Sequence, residues 1–376
     1  MINILISGDF CPINRTEKLA KTGNYKSIYN DYYPVLEEND LTITNLECPL
    51  YNGSKTIDKV GPSLKADENL TEVLKQGHFN LVTLANNHLM DFGVDGLNST
   101  INACTKARIE TVGAGNNLNE ARRAYYATIK GVRIAILNFA ENEFSTTHGE
   151  EPGVNPLNPV TNFYDIKEAK ANADHVFVII HGGHEHYQLP SPRMQETYRF
   201  FIDSGADAVI GHHTHCYSGY EIYQGKPIFY SLGNFIFDWP KQQNSIWNSG
   251  YSVRFTINDG IINFTLHPYI QCDIKPGVRP MSESEMKDFE KQLALLNQQI
   301  GNRQILDSKF QEFLKSKKQE YLSRIEPYSN KYILELFNRG FIPSLVSSHK
   351  KRFLLHLIRC EAHRDLIIDI LKKEIK

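Results

Sequence analysis

Paired-cysteine spacing is missing from this chain. Its six cysteines, Cys11, Cys48, Cys104, Cys216, Cys272 and Cys360, never stand as Cys-x-x-Cys, which argues against a zinc ribbon or a dithiol redox pair. Long apolar runs are missing too. Stretches such as Val176-Phe177-Val178-Ile179-Ile180 fall far short of the roughly 18 residues a membrane span needs, so no transmembrane segment is expected. The opening MINILISGDF has no basic n-region, no apolar stretch of secretory length and no small-residue cleavage site. A cytoplasmic location with reduced thiols is therefore expected. Charge of one sign is also lacking: the formal net charge of −2 leaves no general basic face, and no nucleic-acid partner is expected. No Gly-x-x-x-x-Gly-Lys-Ser/Thr loop appears, and Gly113-Ala114-Gly115 alone is a weak phosphate signal. The absence of a Gly-x-Ser-x-Gly elbow argues against a Ser-His-Asp hydrolase.

What is present is ordinary in bulk and informative in order. The 376 residues are 41% hydrophobic and 22% charged, suited to a soluble globular protein with one large domain or a main domain and an appendage. Short apolar runs at 2–6, 41–44, 81–84, 132–139, 176–180 and 208–210 are bounded by Gly, Asn and Asp and read as buried strands. Helical stretches at 70–76 and 194–204 precede two of them. Strand and helix in alternation predict a parallel or mixed sheet with helices outside. From Gly219 hairpins take over, 220–223 with 227–231 and 252–257 with 261–266, the second around Asn258-Asp259-Gly260. After Pro280 strand signals cease. Residues 282–300 and 304–325 read as amphipathic helices parted by Gly301, and 350–375 as a terminal helix opened by Lys350-Lys351-Arg352. The basic run reads as a solvated helix face, or as a contact for an acidic partner or a lipid headgroup. Apolar clusters at 353–357 and 366–371 read as packing on the core, with recruitment of a partner as the alternative. The proline-bearing stretch 141–163 reads as a long loop bordering the active crevice.

Five strand ends deliver residues of metal-binding type. The first ends in Ser7-Gly8-Asp9, the second in Asn45-Leu46-Glu47, and the third in Ala85-Asn86-Asn87-His88 followed by Asp91. The fourth ends in His181-Gly182-Gly183-His184-Glu185 and the fifth in Gly211-His212-His213-Thr214-His215. One such fragment alone is more often a turn, capping or hydrogen-bonded structural feature. Five at the same topological position can converge on the crevice outside the carboxyl ends of the strands. Carboxylates, an amide and several imidazoles suit an open site for Mn²⁺, Fe²⁺ or Zn²⁺. If residues 213–215 are extended, His213 and His215 face the same side.

GDFCP, NLECPL, LANNHLMDFG, HGGHEHY, DSGADAVIGHHTH and YSLGNFIFD together resemble the ordered motifs of the CapA family of capsule and poly-γ-glutamate synthesis proteins, part of the calcineurin-like metallophosphatase superfamily. The resemblance spans roughly residues 1–270. It implies an α/β fold, a four-layer α/β/β/α sandwich of metallo-dependent phosphatase type, over 1–275, to which the helical signals read above add a C-terminal helical appendage over 276–376. By motif, Asp9, Glu47, Asn87, His181, His213 and His215 resemble metal ligands, Glu47 standing where a metallophosphatase has its bridging Asp. His88 resembles the histidine that serves the leaving group or transition-state oxygen, with Asp91 orienting it. Glu185 falls in the family's His-x-Gly-x-Glu pattern, as a base or a supporting residue. The first motif departs from Asp-x-His by placing Cys11 third, either a soft ligand or a small residue packed at the turn. Asn234 reads either as a turn residue or as the edge of the site.

The implied cofactor is one or two divalent transition-metal ions, and the implied chemistry is metal-assisted hydrolysis or group transfer. A polymer or a phosphorylated small molecule is the expected substrate. Capsule-assembly proteins are the expected partners, with peripheral membrane attachment left open. An accessory or scaffold role in capsule assembly, and a phosphoesterase unrelated to capsule, are the alternatives.

Overall fold

A computed structural model describes residues 1–359 together with His363 and Leu371. The chain divides into two compact units, Met1–Asp307 and Ser308–Lys376.

The first unit is built on two sheets. In the eight-stranded sheet the order is Val278–Pro280, Ile261–Gln271, Ser249–Asn258, Ile2–Cys11, Leu41–Leu46, Leu81–Thr83 and Glu110–Val112, with Asn234–Phe237 also pairing on Ile2–Cys11. The six-stranded sheet runs Tyr220–Tyr223, Lys226–Phe229, Ala208–His212, His175–His181, Val132–Ala140 and Tyr125–Ile129. Side-chain alternation separates two cores. Ile2, Ile4 and Ile6 share one apolar cluster with Ile134, Ile136, Val176 and Val178 of the other sheet, whereas Leu5 joins a second cluster under the helices on the outer face. Phe177 and Phe255 meet across the sheets with ring centroids 5.0 Å apart. Helices Pro159–Asn172 and Pro192–Asp203 bury Ile166, Ala169, Phe201 and Ile202 on the six-stranded sheet. The result is the expected four-layer sandwich.

Parallel pairing brings strand ends into line. Asp9 pairs with Asn45 and Asn45 with Thr83 in one sheet. In the other, His181 pairs with His212 and with Ala140. Gly8 makes the first alignment possible. A Cβ there would lie 2.0 Å from the Gly233 carbonyl oxygen, so only glycine lets the strand approach the turn whose carbonyl accepts from the Asp9 N–H at 3.0 Å.

The stretch 141–163 is not all loop. Pro159 occupies the first turn of the Pro159–Asn172 helix, where its missing N–H costs nothing, and the Asn158 side chain caps it by accepting from the Val160 N–H at 3.1 Å. Helix Glu283–Ile300 carries a capping box, with the Ser282 N–H donating to Glu285 Oε2 at 2.8 Å. It buries Phe289, Leu293, Leu296 and Ile300 in the inter-sheet cluster.

Beyond it run Arg303–Arg324, Lys331–Asn338 and Ser348–Arg359. Of the terminal helix expected over 350–375, most of the part after Arg359, including 366–370, lies outside the described residues. In the cluster at 353–357, Phe353 is 49% and Leu355 53% exposed, whereas Leu354 and Leu357 are half-buried. No helix of the described residues is long and apolar enough to cross a membrane.

Candidate metal centre

The aligned strand ends gather a buried polar cluster between two apolar cores. Glu47 lies at its middle, fully buried, and neither carboxylate oxygen has a hydrogen-bond partner among the described residues. Glu47, His181 and His213 offer ligand atoms all within 4.8 Å of one another, and so do Asp9, Glu47 and His215. The two groups share Glu47.

Around the first group, His181 Nε2 lies 3.0 Å from Asn87 Oδ1, 3.0 Å from His213 Nδ1 and 3.5 Å from Glu47 Oε1. Metal–ligand bonds of about 2.0–2.2 Å place neighbouring ligand atoms about 3.0–3.5 Å apart, which is the spacing found. Burial, reinforced by His213, holds the His181 pKa well below the usual histidine range. The ring therefore stays neutral, as a ligand must.

Around the second group, the surrounding residues fix each candidate. Asn45 Nδ2 donates to Asp9 Oδ1 at 2.7 Å and lies 3.1 Å from His181 Nδ1. The His213 backbone N–H donates to Asp9 Oδ2 at 3.0 Å. His212 Nδ1 sits 3.0 Å from Asp9 Oδ1 but without hydrogen-bond alignment. His215 Nδ1 donates to Asn234 Oδ1 at 3.0 Å, which leaves Nε2 toward Glu47 at 3.7 Å. The His215 ring also packs at a tilt against Trp247, with centroids 4.6 Å apart. Burial pushes the His215 pKa down to about 4.

The two carboxylates differ. Burial opposes charge on both, but at Asp9 the neighbouring His212, His181 and His215 outweigh it and hold the carboxyl below the usual range. At Glu47 burial is joined by repulsion from Asp9, and the carboxyl is raised well above its range. A buried carboxylate without a hydrogen-bond partner, facing neutral imidazoles and a second carboxylate, is a poor structural element by itself. A divalent cation removes that cost, so the donor set fits one, and its mix of oxygen and nitrogen suits a borderline-soft ion.

The His213-Thr214-His215 stretch is not extended. The strand ends at His212, and His213 and His215 take positive φ values of 92° and 55°. The two imidazoles reach the cluster through a strained turn, held by the His213 N–H to Asp9 and by Thr214 Oγ1 donating to the Cys216 carbonyl at 2.8 Å. Left-handed backbone at non-glycine residues is costly and persists where surrounding bonds enforce it.

His88 stands beside the cluster on the residue after Asn87. Its Nδ1 donates to Asp91 Oδ2 at 2.7 Å, which leaves Nε2 as the basic nitrogen. Asp91 also accepts the Leu64 N–H at 2.7 Å and pairs with Lys59. Lys59 reaches in from an otherwise exposed loop to within 3.4 Å of His88 Nδ1. Glu185 is exposed. Cys11 is buried in the outer apolar cluster, and burial, with Cys48 next, raises its thiol well above the usual range. It remains a protonated packing residue.

Residues 3–239 match the family model described as Bacterial capsule synthesis protein PGA_cap. The chain belongs to that family. As a PGA_cap member it is 32% identical over 65% of its length to "Capsule biosynthesis protein CapA" of Bacillus anthracis, covering 62% of that protein. It is 35% identical over 63% of its length to "PGA biosynthesis protein CapA" of Bacillus subtilis, covering 64%. A third relative, "Probable polyglutamine synthesis accessory protein" Rv0574c of Mycobacterium tuberculosis, is 28% identical over 53% of this chain and 56% of its own. The chain thus spans under two thirds of each relative's length.

Within this PGA_cap chain the structure brings Asp9, Glu47, Asn87, His181, His213 and His215 together and sets His88 and Asp91 beside them. Asn45, His212 and Lys59 escaped sequence reasoning. Asn45 and His212 were visible as polar residues at the same strand ends. Lys59 carried no signal, since its loop is placed only by the fold.

Proposed function

We propose that this family member acts in capsule or poly-γ-glutamate synthesis through a metal-dependent hydrolase or transferase site. Asp9, Glu47, Asn87, His181, His213 and His215 would hold one or two divalent ions, and Glu47 would be common to both positions. The carrying observation is the pair of ligand groups that share one buried carboxylate, with the hydrogen-bonded His88–Asp91 pair following Asn87 in the chain. Bound there, the ion supplies Lewis acidity toward the electrophile and makes water a better nucleophile at neutral pH.

The chain's own residues do the rest. Asp91 fixes the His88 ring and its tautomer, so that Nε2 gives or takes the proton of the reacting group. Lys59 and the Leu64 N–H hold Asp91 in turn. Asn45 and Asn234 orient Asp9 and His215, and Phe237 and Trp247 pack against the His215 ring. The substrate class is a polymer, in keeping with the relatives' names, or a phosphorylated small molecule.

Purified protein supplied with Mn²⁺ or Zn²⁺ should release amine from poly-γ-glutamate or phosphate from an aryl phosphoester. His88→Ala should lower that rate by about 10²–10⁴-fold with metal content unchanged. Turnover of neither substrate class, with metal bound, would favour an accessory role in assembly.

A further inference from the structure

Two glycines follow His181, and the metal centre does not use them. Neighbours fill the space that side chains would take. A Cβ on Gly182 would lie 2.7 Å from Glu141 Cγ, and one on Gly183 would lie 3.0 Å from Thr214 Cγ2 and 3.4 Å from Met194 Sδ. The two glycines therefore let Glu141 settle against the segment that carries His181. Glu141 is tied there twice. Its N–H donates to the His181 carbonyl at 2.9 Å, and its Oε2 accepts from the Gly183 N–H at 2.9 Å. Its Oε1 accepts from Arg193 Nη2 at 2.5 Å.

Ala140, the residue before Glu141, pairs with His181, so this chain of bonds holds Arg193 at the strand-end edge where the candidate ligands gather. The Arg193 side chain is 64% exposed, and Glu141 is its one acceptor among the described residues. A guanidinium carries five N–H donors in a planar fork, so most of them are left for an acceptor from outside. A structural role accounts for little of this. A largely exposed ion pair adds little stability. Nor does Arg193 suit its helix, since it is the second residue of Pro192–Asp203, where a cation opposes the helix dipole.

Nearby carboxylates single this place out. Glu143 Oε1 lies 4.0 Å from His213 Nε2, and Glu185, the fourth residue after His181, is exposed. Both repel a negative group, whereas the free edge of Arg193 accepts one through two parallel hydrogen bonds. A cationic group would be drawn to Glu143 and Glu185 and would gain nothing from Arg193. We propose that Arg193, tethered by Glu141, binds an oxyanion of the substrate beside the reacting bond and so sets specificity, an inference that rests on the hydrolase or transferase site above. A carboxylate of a polymer unit and a non-bridging phosphate oxygen offer the same chemistry to the guanidinium.

The test sets the full chain beside Arg193→Ala and Arg193→Lys, each loaded with Mn²⁺. The substrates are N-acetyl-γ-glutamyl p-nitroanilide, its α-carboxamide, which lacks the carboxylate, and p-nitrophenyl phosphate. Arg193→Ala should raise KM for the carboxylate or the phosphate substrate by about 10–100-fold, with kcat nearly unchanged. Whichever of the two responds identifies the source of the oxyanion. Turnover of the α-carboxamide should not respond to the substitution. Arg193→Lys should recover part of the loss, because it keeps the charge without the fork. Metal content and melting temperature should match wild type in both variants, so that a change in KM is not a change in fold. Titration calorimetry with a γ-glutamyl tetramer and with inorganic phosphate reads binding without turnover. Binding weakened in Arg193→Ala, with no turnover by any form, would uphold the oxyanion contact and remove the hydrolase reading. Unchanged KM and unchanged binding in Arg193→Ala would overturn the contact and leave that reading in place. Equal losses for the carboxylate and the α-carboxamide would also overturn it, as would wild type that binds and turns over none of these probes.

Discussion

The two ligand groups that share Glu47 are built differently. In the first, Asn87 Oδ1 and His213 Nδ1 each lie 3.0 Å from His181 Nε2, so the ligands supply most of the donors themselves. In the second, Asp9 and His215 are each fixed from outside, Asp9 by Asn45 and the His213 N–H, His215 by Asn234. The second group is also short of the donor that Cys11 does not provide. A donor-rich position tolerates the loss of a supporting residue, while a donor-poor one depends on its supports. The difference predicts unequal affinities: a tight ion at the His181 side and a weaker one at the Asp9 side.

The largest effect should come from removing what the two share. Glu47→Gln should weaken metal binding at both positions by more than about a hundredfold, a loss greater than supporting residues alone cause. It should also raise the melting temperature of the metal-stripped protein, because it replaces a buried carboxyl that lacks hydrogen-bond partners with a neutral amide. Calorimetry with and without a chelator measures both signs together.

His181→Ala should come next and separate the positions, abolishing tight binding while a weak site remains in isothermal titration. Loss of both ions together would instead make the cluster one cooperative unit.

Supporting residues should show a smaller and one-sided effect. Asn234→Ala and His212→Phe should weaken the second position by about 10–100-fold and leave the first intact. Native mass spectrometry across a metal titration resolves the two. An equal fall at both positions would erase the asymmetry.

The smallest expected effect is a pH slope. His215 has a folded pKa of about 4 against an ordinary value of 6.5, so between those values the unfolded chain binds more protons than the fold. Stability of the metal-free protein from this group therefore rises as pH rises from about 4 to 6.5 and is lost as pH falls through that window. His215→Gln should flatten that part of the curve in chemical denaturation. An unchanged slope would mean that the ring is not buried as found.

Much of the centre was legible because parallel strands end at one edge, so polar residues at strand ends converge whatever lies between them. Asp9 and His213 are far apart in sequence, yet both follow apolar runs that declare where they stop. The turn carrying His213 and His215 was misread because left-handed backbone leaves no mark on a histidine, and alternation is the default after a strand. The helix opened by Pro159 was missed because proline ends some elements and begins others, and only the Asn158 cap distinguishes the two. Lys59 was beyond reach for a different reason. Its partner Asp91 lies across a loop whose path is set by the packing of the outer core, not by any local pattern.

Metal analysis of purified protein beside Glu47→Gln tests the central claim most directly. Two equivalents of a divalent transition metal in wild type after Mn²⁺ or Zn²⁺ is supplied, one lost on mild chelation before the other, and essentially none in Glu47→Gln, is the predicted result. No bound metal in wild type, or a Glu47→Gln variant that loads as wild type does, would contradict a centre organised around Glu47.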